Sequence, residues 1–229
     1  YVFIKECKLT NFWNKKVAEN KQRKYIKDIA KIWLGKETMS KQAKTLNTDE
    51  IRKVLDYVAR RKHSERNRAM IFTIFNTGMR VSEVANLRFK DVVDSEGAVK
   101  REIRLSAEDT KTKEARIVFV NDKLHKELTR YVKLYKPLNT NVKFFYSQKS
   151  TSDGFTANTL TQFFHYLYKR AGIDGASSHS GRRSFATNIA SKGVGIRVLQ
   201  KLLGHKNIQT TSVYIYASDD MLRKAVELV

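Results

Sequence analysis

The chain has 229 residues with 45 Lys or Arg against 23 Asp or Glu, which gives a formal net charge of +22. This excess of cations attracts polyanions, of which nucleic acid is the commonest, and it disfavours an enzyme that acts on neutral small molecules. No apolar run approaches the ~20 residues of a membrane-spanning helix, so no membrane partner is expected. The single cysteine, Cys7, excludes an internal disulfide and a cysteine-based zinc site, and it favours a reducing, cytoplasmic compartment.

Residues 1–44 form a basic segment with apolar positions spaced for a couple of amphipathic helices. A polar stretch without periodicity at residues 35–42 predicts a linker. The segment holds too few apolar side chains for a core of its own, so we expect the main domain to begin at about residue 45.

Beyond this segment the pattern predicts mostly helices. Asn47 and Glu50 have the spacing of a capping box, and an apolar stripe at helical spacing follows them. A second helix, residues 65–76, is apolar on nearly all sides and is expected to be buried. Gly78 is expected to end it in the left-handed conformation. A short helix over residues 81–87 follows.

Two alternating segments, residues 102–105 and 116–120, are typical of half-buried strands, and the polar stretch between them predicts a hairpin with lysines at its tip. Residues 144–146 predict a short buried strand. Further helices are predicted at residues 124–132, 157–170, 182–191, 196–203 and 219–229. The first is stopped by Pro137, and the second is capped by Thr156 and contains His165, which is expected to be a structural histidine. The expected fold class is α+β, mostly α-helical, with a small antiparallel sheet or hairpin on one edge.

Several side chains suit phosphodiester chemistry. Tyr214 offers a phenol nucleophile, which with an ordinary pKa of about 10 needs a base or nearby cations. His179 is a candidate base or proton shuttle, and Arg182, three residues later, lies on the same helical face. Arg80 and Arg182 can each present a planar fork to phosphate oxygens and stabilise a pentacoordinate transition state. His205 offers a further donor.

The leaving 5′-oxygen must also be protonated, and a mobile lysine at the hairpin tip suits that role. Lys111 and Lys113 are the candidates. The chain has neither an acidic cluster of the two-metal nuclease type nor a phosphate-binding loop of the GxxxxGK type, and Asp219 with Asp220 is better interpreted as a helix start. We therefore expect no metal and no nucleotide cofactor.

Three motifs, in this order along the chain, resemble those of the tyrosine recombinase (phage integrase) family. Residues 77–84, TGMRVSEV, resemble its TGxRxxEL box, and residues 179–187, HSGRRSFAT, resemble HxLRHxxAT. Residues 203–214, LGHKNIQTTSVY, resemble LGHxxxxTTxxY. The resemblance covers about residues 45–229, which would be the family's catalytic domain, preceded by the short basic segment and linker of residues 1–44.

The resemblance implies a site-specific DNA recombinase or integrase that cuts and rejoins strands without metal or ATP. Tyr214 would be the nucleophile that forms a 3′-phosphotyrosine. Arg80 and Arg182 would bind the phosphate, His179 would be the general base, and His205 would be a supporting donor. Duplex DNA with a specific recombination site would be the partner, and a homotetramer would assemble on synapsed DNA, at the nucleoid if the host is a prokaryote.

The remaining roles follow from the same resemblance. The hairpin lysine maps best to Lys111, because its distance to Arg116 fits the family pattern, and Lys113 is the fallback. Glu83 would orient the catalytic cations, although an ordinary helix-capping carboxylate is an equal interpretation. The resemblance also implies that the start of the helix capped by Thr156 contacts DNA, and three basic residues are expected to bind the DNA backbone. These predicted DNA contacts are Thr156, Asn158, Arg183, Lys113 and Lys149.

The chain departs from the family pattern at several points. Gly181 stands where a large apolar residue is usual, Arg183 replaces a common second histidine, and Tyr216 offers a second phenol near Tyr214. Only residues 1–44 precede the catalytic domain, so the protein is either a short variant or part of the DNA-binding clamp is missing from this chain. A type IB topoisomerase and a non-catalytic DNA-binding regulator are the alternatives. The C-terminal helix of residues 221–229 would contact a second protomer or its own domain.

Overall fold

The computed structural model describes residues 43–108, 114–147 and 153–215, together with residues 223, 226 and 227. All of these belong to the second of two units, Ala43–Val229. Several expectations lie outside the described residues: the N-terminal helices and their linker, the lysines of the hairpin tip, Lys149, Tyr216 and most of the C-terminal helix.

The first helices of the described domain begin and end where the sequence indicates. Helix α1, Thr48–Ala59, is capped by Asn47, whose side chain accepts from the Glu50 amide at 2.9 Å while Glu50 accepts from the Asn47 amide at 3.1 Å. Helix α2, Ser64–Thr77, is buried along most of its length and ends at Gly78 with φ +63°. Helix α3, Val81–Asn86, follows directly.

A two-stranded antiparallel sheet lies between the helices. A one-turn helix that the sequence did not predict, α4 (Phe89–Val92), precedes strand β1, Glu102–Leu105. Strand β2, Arg116–Phe119, pairs with β1 so that Val118 lies opposite Ile103. Helix α5, Asp122–Leu134, follows and ends before Pro137. Within the described residues this confirms an α+β fold that is mostly helical.

The predicted strand at residues 144–146 is wrong. Phe144 and Phe145 are both buried as expected, but the backbone bends at these two residues and does not pair as a strand. The segment makes only an isolated bridge at Lys143 to Arg88, with the Phe144 amide donating to Leu87 at 2.8 Å. Tertiary packing of the two rings therefore decides its conformation.

The second half of the domain is helical. Helix α6, Ala157–Arg170, is capped by Thr156, and the remaining helices are α7 (Ser180–Ala190), α8 (Ile196–Leu203) and the one-turn α9 (Gln209–Ser212), which the sequence did not predict. His165, expected as a structural histidine within α6, has an exposed side chain that meets Tyr166 edge-on. It lies on the outer face of α6.

Two hydrophobic clusters organise the domain. The larger surrounds α2, which packs against α1, α5 and α7. The smaller joins α7 to α8 through Ala186, Ala190, Leu199 and Leu203, with Tyr214 partly buried against it. This second cluster brings the C-terminal end of α8 to the C-terminal end of α2. Within the described residues, no helix has the length and apolarity to cross a bilayer.

Candidate active site

The site forms where the C-terminal ends of α2 and α8 meet the first turn of α7. Arg182, on that turn, is only 6% exposed. Its Nη1 donates to the carbonyl of Gly78 at 2.6 Å, and its Nη2 donates to the carbonyl of Leu203 at 2.7 Å. One guanidinium thus joins two helix ends and is held in a fixed orientation.

Three guanidinium groups bind three consecutive carbonyls at the end of α8. Arg116 donates to Leu202 at 2.7 Å, Arg182 to Leu203 at 2.7 Å, and Arg80 to Gly204 at 3.2 Å. The last carbonyls of a helix lack partners within the helix and carry its negative partial charge, so cations are favoured there. The arginines therefore satisfy this helix end, and the helix end brings the arginines together.

Glu83 is the carboxylate at the centre of this group and is fully buried. Its Oε1 accepts from Arg80 Nη1 at 2.8 Å, and its Oε2 accepts from Arg116 Nη2 at 2.6 Å and from the Arg80 amide at 2.7 Å. Burial alone would raise the pKa of Glu83, but Arg116 and Arg80 outweigh it and hold the pKa below its usual range. Glu83 therefore both caps α3 and forms ion pairs with two arginines.

His205 follows Gly204, which ends α8 with φ +62°. Arg182 Nη2 lies 2.9 Å from Nε2 of His205. A guanidinium can only donate, so Nε2 accepts, and Nδ1 carries the hydrogen that it donates to the Thr211 hydroxyl at 2.9 Å. Burial, with Arg182 and Arg80 nearby, lowers the pKa of His205 to about 4, so the imidazole is neutral at physiological pH.

The same site also lowers the pKa of Arg182 to about 9, through burial and the neighbouring Arg80. Arg182 therefore remains protonated at neutral pH. Among the described residues, the site gathers the three guanidiniums of Arg80, Arg116 and Arg182 around one carboxylate, that of Glu83. The resulting excess of positive charge suits an anion such as a phosphodiester.

Tyr214 lies beside this site on the turn that follows α9. Its ring is stacked with that of His205 at a centroid distance of 6.2 Å and an interplanar angle of 18°. The guanidinium carbon of Arg183 lies over the ring of Tyr214, 5.9 Å from its centroid. Arg183 is also tied to Thr45, whose hydroxyl accepts from its Nε at 3.2 Å. The structure therefore places Arg183, predicted as a backbone-binding residue, against the predicted nucleophile.

The other predicted site residues that the structure describes lie at the starts of two helices. His179 is the exposed N-cap residue of α7, one turn before Arg182. Thr156 and Asn158 are exposed at the start of α6, where the Thr156 hydroxyl accepts from the Thr159 amide at 3.2 Å. Lys111, Lys113 and Lys149 lie outside the described residues.

Sequence reasoning missed the part that Arg116 plays in the site. The signal was present in the alternation of β2, because Val118 is buried and a residue two positions away projects from the same face. An arginine on the inward face of a strand needs a buried partner, and here that partner is Glu83. The role of Thr211 as acceptor for His205 was missed as well, although it lies within a recognised motif.

The three motifs thus meet at one site, and the model of the Phage integrase family matches residues 44–221. This chain belongs to the phage integrase family. The family and the mostly helical fold expected from the three motifs are confirmed.

Relatives of known identity agree with this assignment. Tyrosine recombinase XerA of Pyrococcus horikoshii is 29% identical over 184 residues, which cover 80% of this chain and 60% of that protein. Transposase A from transposon Tn554 of Staphylococcus aureus is 26% identical over 229 residues, which cover 96% of this chain and 60% of that protein. The crystal structure of XerA recombinase matches with a TM-score of 0.63 at 28% identity, covering 81% of this chain and 64% of that one. The chain therefore spans about three fifths of the length of these relatives.

Proposed function

We propose that this chain cuts and rejoins DNA strands at specific sites through a 3′-phosphotyrosine at Tyr214, without a metal or ATP. The observation that carries the proposal is the geometry of Arg182, a buried guanidinium that is held by two carbonyls. Arg182 also donates to His205, and the ring of His205 stacks with that of Tyr214, the predicted nucleophile. Donors fixed before the substrate arrives stabilise developing charge without reorganising.

In the proposed reaction the Tyr214 oxygen attacks the phosphorus, and the bond between phosphorus and the 5′-oxygen breaks as the tyrosyl ester forms. His179 accepts the phenolic proton, and Lys111, with Lys113 as the fallback, protonates the leaving 5′-oxygen. Arg80 and Arg182 bind the non-bridging oxygens, on which charge accumulates. The 5′-hydroxyl of a partner strand then reverses these steps. The ester conserves the energy of the phosphodiester, so no nucleotide is consumed.

Duplex DNA with a specific recombination site is the proposed substrate. The net charge of +22 supports a polyanionic partner. The exposed start of α6, with Thr156 and Asn158, is a proposed contact with base edges or phosphates, and Arg183, Lys113 and Lys149 are proposed contacts with the backbone. Exchange between two duplexes uses four active sites, so we propose a homotetramer on synapsed DNA. The similarity to the Tn554 transposase supports a role in moving a mobile element.

The proposal is tested by trapping the intermediate. The protein is incubated in EDTA with nicked duplexes drawn from the DNA that flanks its gene, and covalent protein–DNA complexes are resolved under denaturing conditions. We expect a complex that Tyr214→Phe abolishes and Tyr216→Phe retains. Covalent complexes that persist in Tyr214→Phe would refute the assignment of the nucleophile. Cleavage without sequence preference would favour a type IB topoisomerase, and binding without any complex would favour a regulator.

A further inference from the structure

Resting on the function proposed above, we propose that Arg116 is a positioning residue that keeps Arg80 available to the phosphate by occupying one oxygen of Glu83. Arg116 does not belong to the residues that the three motifs assign to the chemistry. It would act through Glu83 and not by touching DNA.

The accessibility of the three side chains separates their roles. Glu83 is 0% exposed, Arg116 is 8% exposed and Arg80 is 17% exposed. Both terminal nitrogens of Arg116 donate, to Leu202 and Glu83, and both terminal nitrogens of Arg80 donate, to Glu83 and Gly204. Exposure therefore separates the two arginines, and an incoming phosphate reaches the more exposed Arg80 first.

The sharing of the Glu83 carboxylate gives Arg116 its effect. Arg80 reaches Oε1 through Nη1 only, and its Nη2 turns away to the Gly204 carbonyl. Arginine and carboxylate prefer a fork-to-fork pair with two parallel hydrogen bonds. Oε2 is occupied by Arg116 at 2.6 Å and by the Arg80 amide, so the Arg80 fork cannot close on the carboxylate in that way. Without Arg116, a buried Glu83 would have one guanidinium left and would pair with both of its nitrogens.

Packing at Gly204 supports a fixed place for Arg116. A Cβ added at Gly204 would lie 2.7 Å from Arg116 Cδ and 3.2 Å from its Nε. Glycine at this position therefore supplies the space that the Arg116 side chain fills, in addition to the left-handed φ of +62° that ends α8. The α8 end and Arg116 form one packed unit.

A double-mutant cycle tests this inference. Covalent-complex formation at saturating protein is measured for the wild type, Arg116→Gln, Glu83→Gln and the double variant. We expect Arg116→Gln to be slower by about tenfold with DNA affinity unchanged, and the double variant to be faster than Arg116→Gln by about threefold, because the carboxylate that captures Arg80 is gone. Arg104→Gln is the matched control, since it removes an exposed arginine from the neighbouring strand.

Two outcomes would overturn the inference. One is a rate loss in the double variant equal to the product of the losses in the two single variants, and the other is an Arg116→Gln protein that cleaves at the wild-type rate. Failure of the proposed function is distinguished by the wild type itself, which would then give no Tyr214-dependent complex. In that case an NMR titration of Glu83 still tests whether Arg116 shares its carboxylate. Its pKa must rise in Arg116→Gln and stay unchanged in Arg104→Gln, and an unchanged pKa in both would contradict the shared carboxylate.

Discussion

Arg182 donates a hydrogen bond to the Nε2 of His205 over 2.9 Å, and this contact fixes the imidazole as a neutral group whose Nδ1 hydrogen points to Thr211. Two motifs separated along the chain thereby become one hydrogen-bonded unit, which runs from the end of α2 to the turn that carries Tyr214. Its charge state depends on pH.

The first prediction concerns that pH dependence. The pKa of His205 falls from an ordinary 6.5 to about 4 on folding, so between these values the unfolded chain binds a proton that the folded chain does not. The contribution of His205 therefore makes the folded state less stable as pH falls through this window. Urea unfolding measures this at a pH above 6.5 and at about pH 5. Between these two conditions the free energy of unfolding should fall less for His205→Gln than for the wild type. Equal losses in the two proteins would contradict the depressed pKa.

Arg182→Lys should retain the charge and lose the fork. One ammonium cannot serve the carbonyls of Gly78 and Leu203 and the imidazole in the same geometry. We expect covalent-complex formation to fall by about a hundredfold or more, as when a fixed transition-state donor is removed. The free energy of unfolding should fall by roughly 1–3 kcal/mol, because a buried carbonyl loses its partner. Arg104→Lys serves as the control, and a Lys variant as active as the wild type would refute the role of the fork.

Glu83→Gln tests the buried carboxylate. Removing its charge leaves Arg80 and Arg116 beside a neutral amide at a fully buried position. The free energy of unfolding should fall by about 3–5 kcal/mol. Glu114→Gln, which removes the carboxylate of an exposed pair with Lys206, should change it by less than about 1 kcal/mol. Urea denaturation of both proteins checks the difference, and similar losses would show that Glu83 contributes no more than a surface ion pair.

Gly181→Ala tests why this position departs from the large apolar residue usual in the family. An added Cβ would lie 2.4 Å from Ile74 Cγ2, so the buried Ile74 already fills the space that a side chain would take. We expect a loss of roughly 1–3 kcal/mol in the free energy of unfolding.

The control for Gly181→Ala is Gly195→Ala, where no heavy atom lies within 4 Å of the added Cβ, with an expected change of about 0.5 kcal/mol. Adding Ile74→Leu, which removes Cγ2, should recover part of the Gly181→Ala loss. A full loss in the double variant would show that the clash is not with Ile74.

The sequence predicted those elements whose limits depend on neighbouring residues. The capping box of Asn47 and Glu50, the Thr156 cap of α6 and the left-handed Gly78 act over three or four residues, so they can be predicted from the local sequence. The prediction failed where distant packing decides. Phe144 and Phe145 are buried together in the core. His165 lies on the outer face of α6, although it stands among aromatic residues in the sequence.

The sequence by itself determined the family, the order of the three motifs and the residue types that phosphate chemistry requires. Only the tertiary structure decided which arginines meet. Arg80 reaches Gly204 across 124 residues, and Arg116 reaches Leu202 across 86. These contacts depend on how the small cluster of Ala186, Leu199 and Leu203 seats the end of α8 against α2. Such packing is a property of the whole fold, because periodicity tells which face of an element is buried and not which distant element covers it.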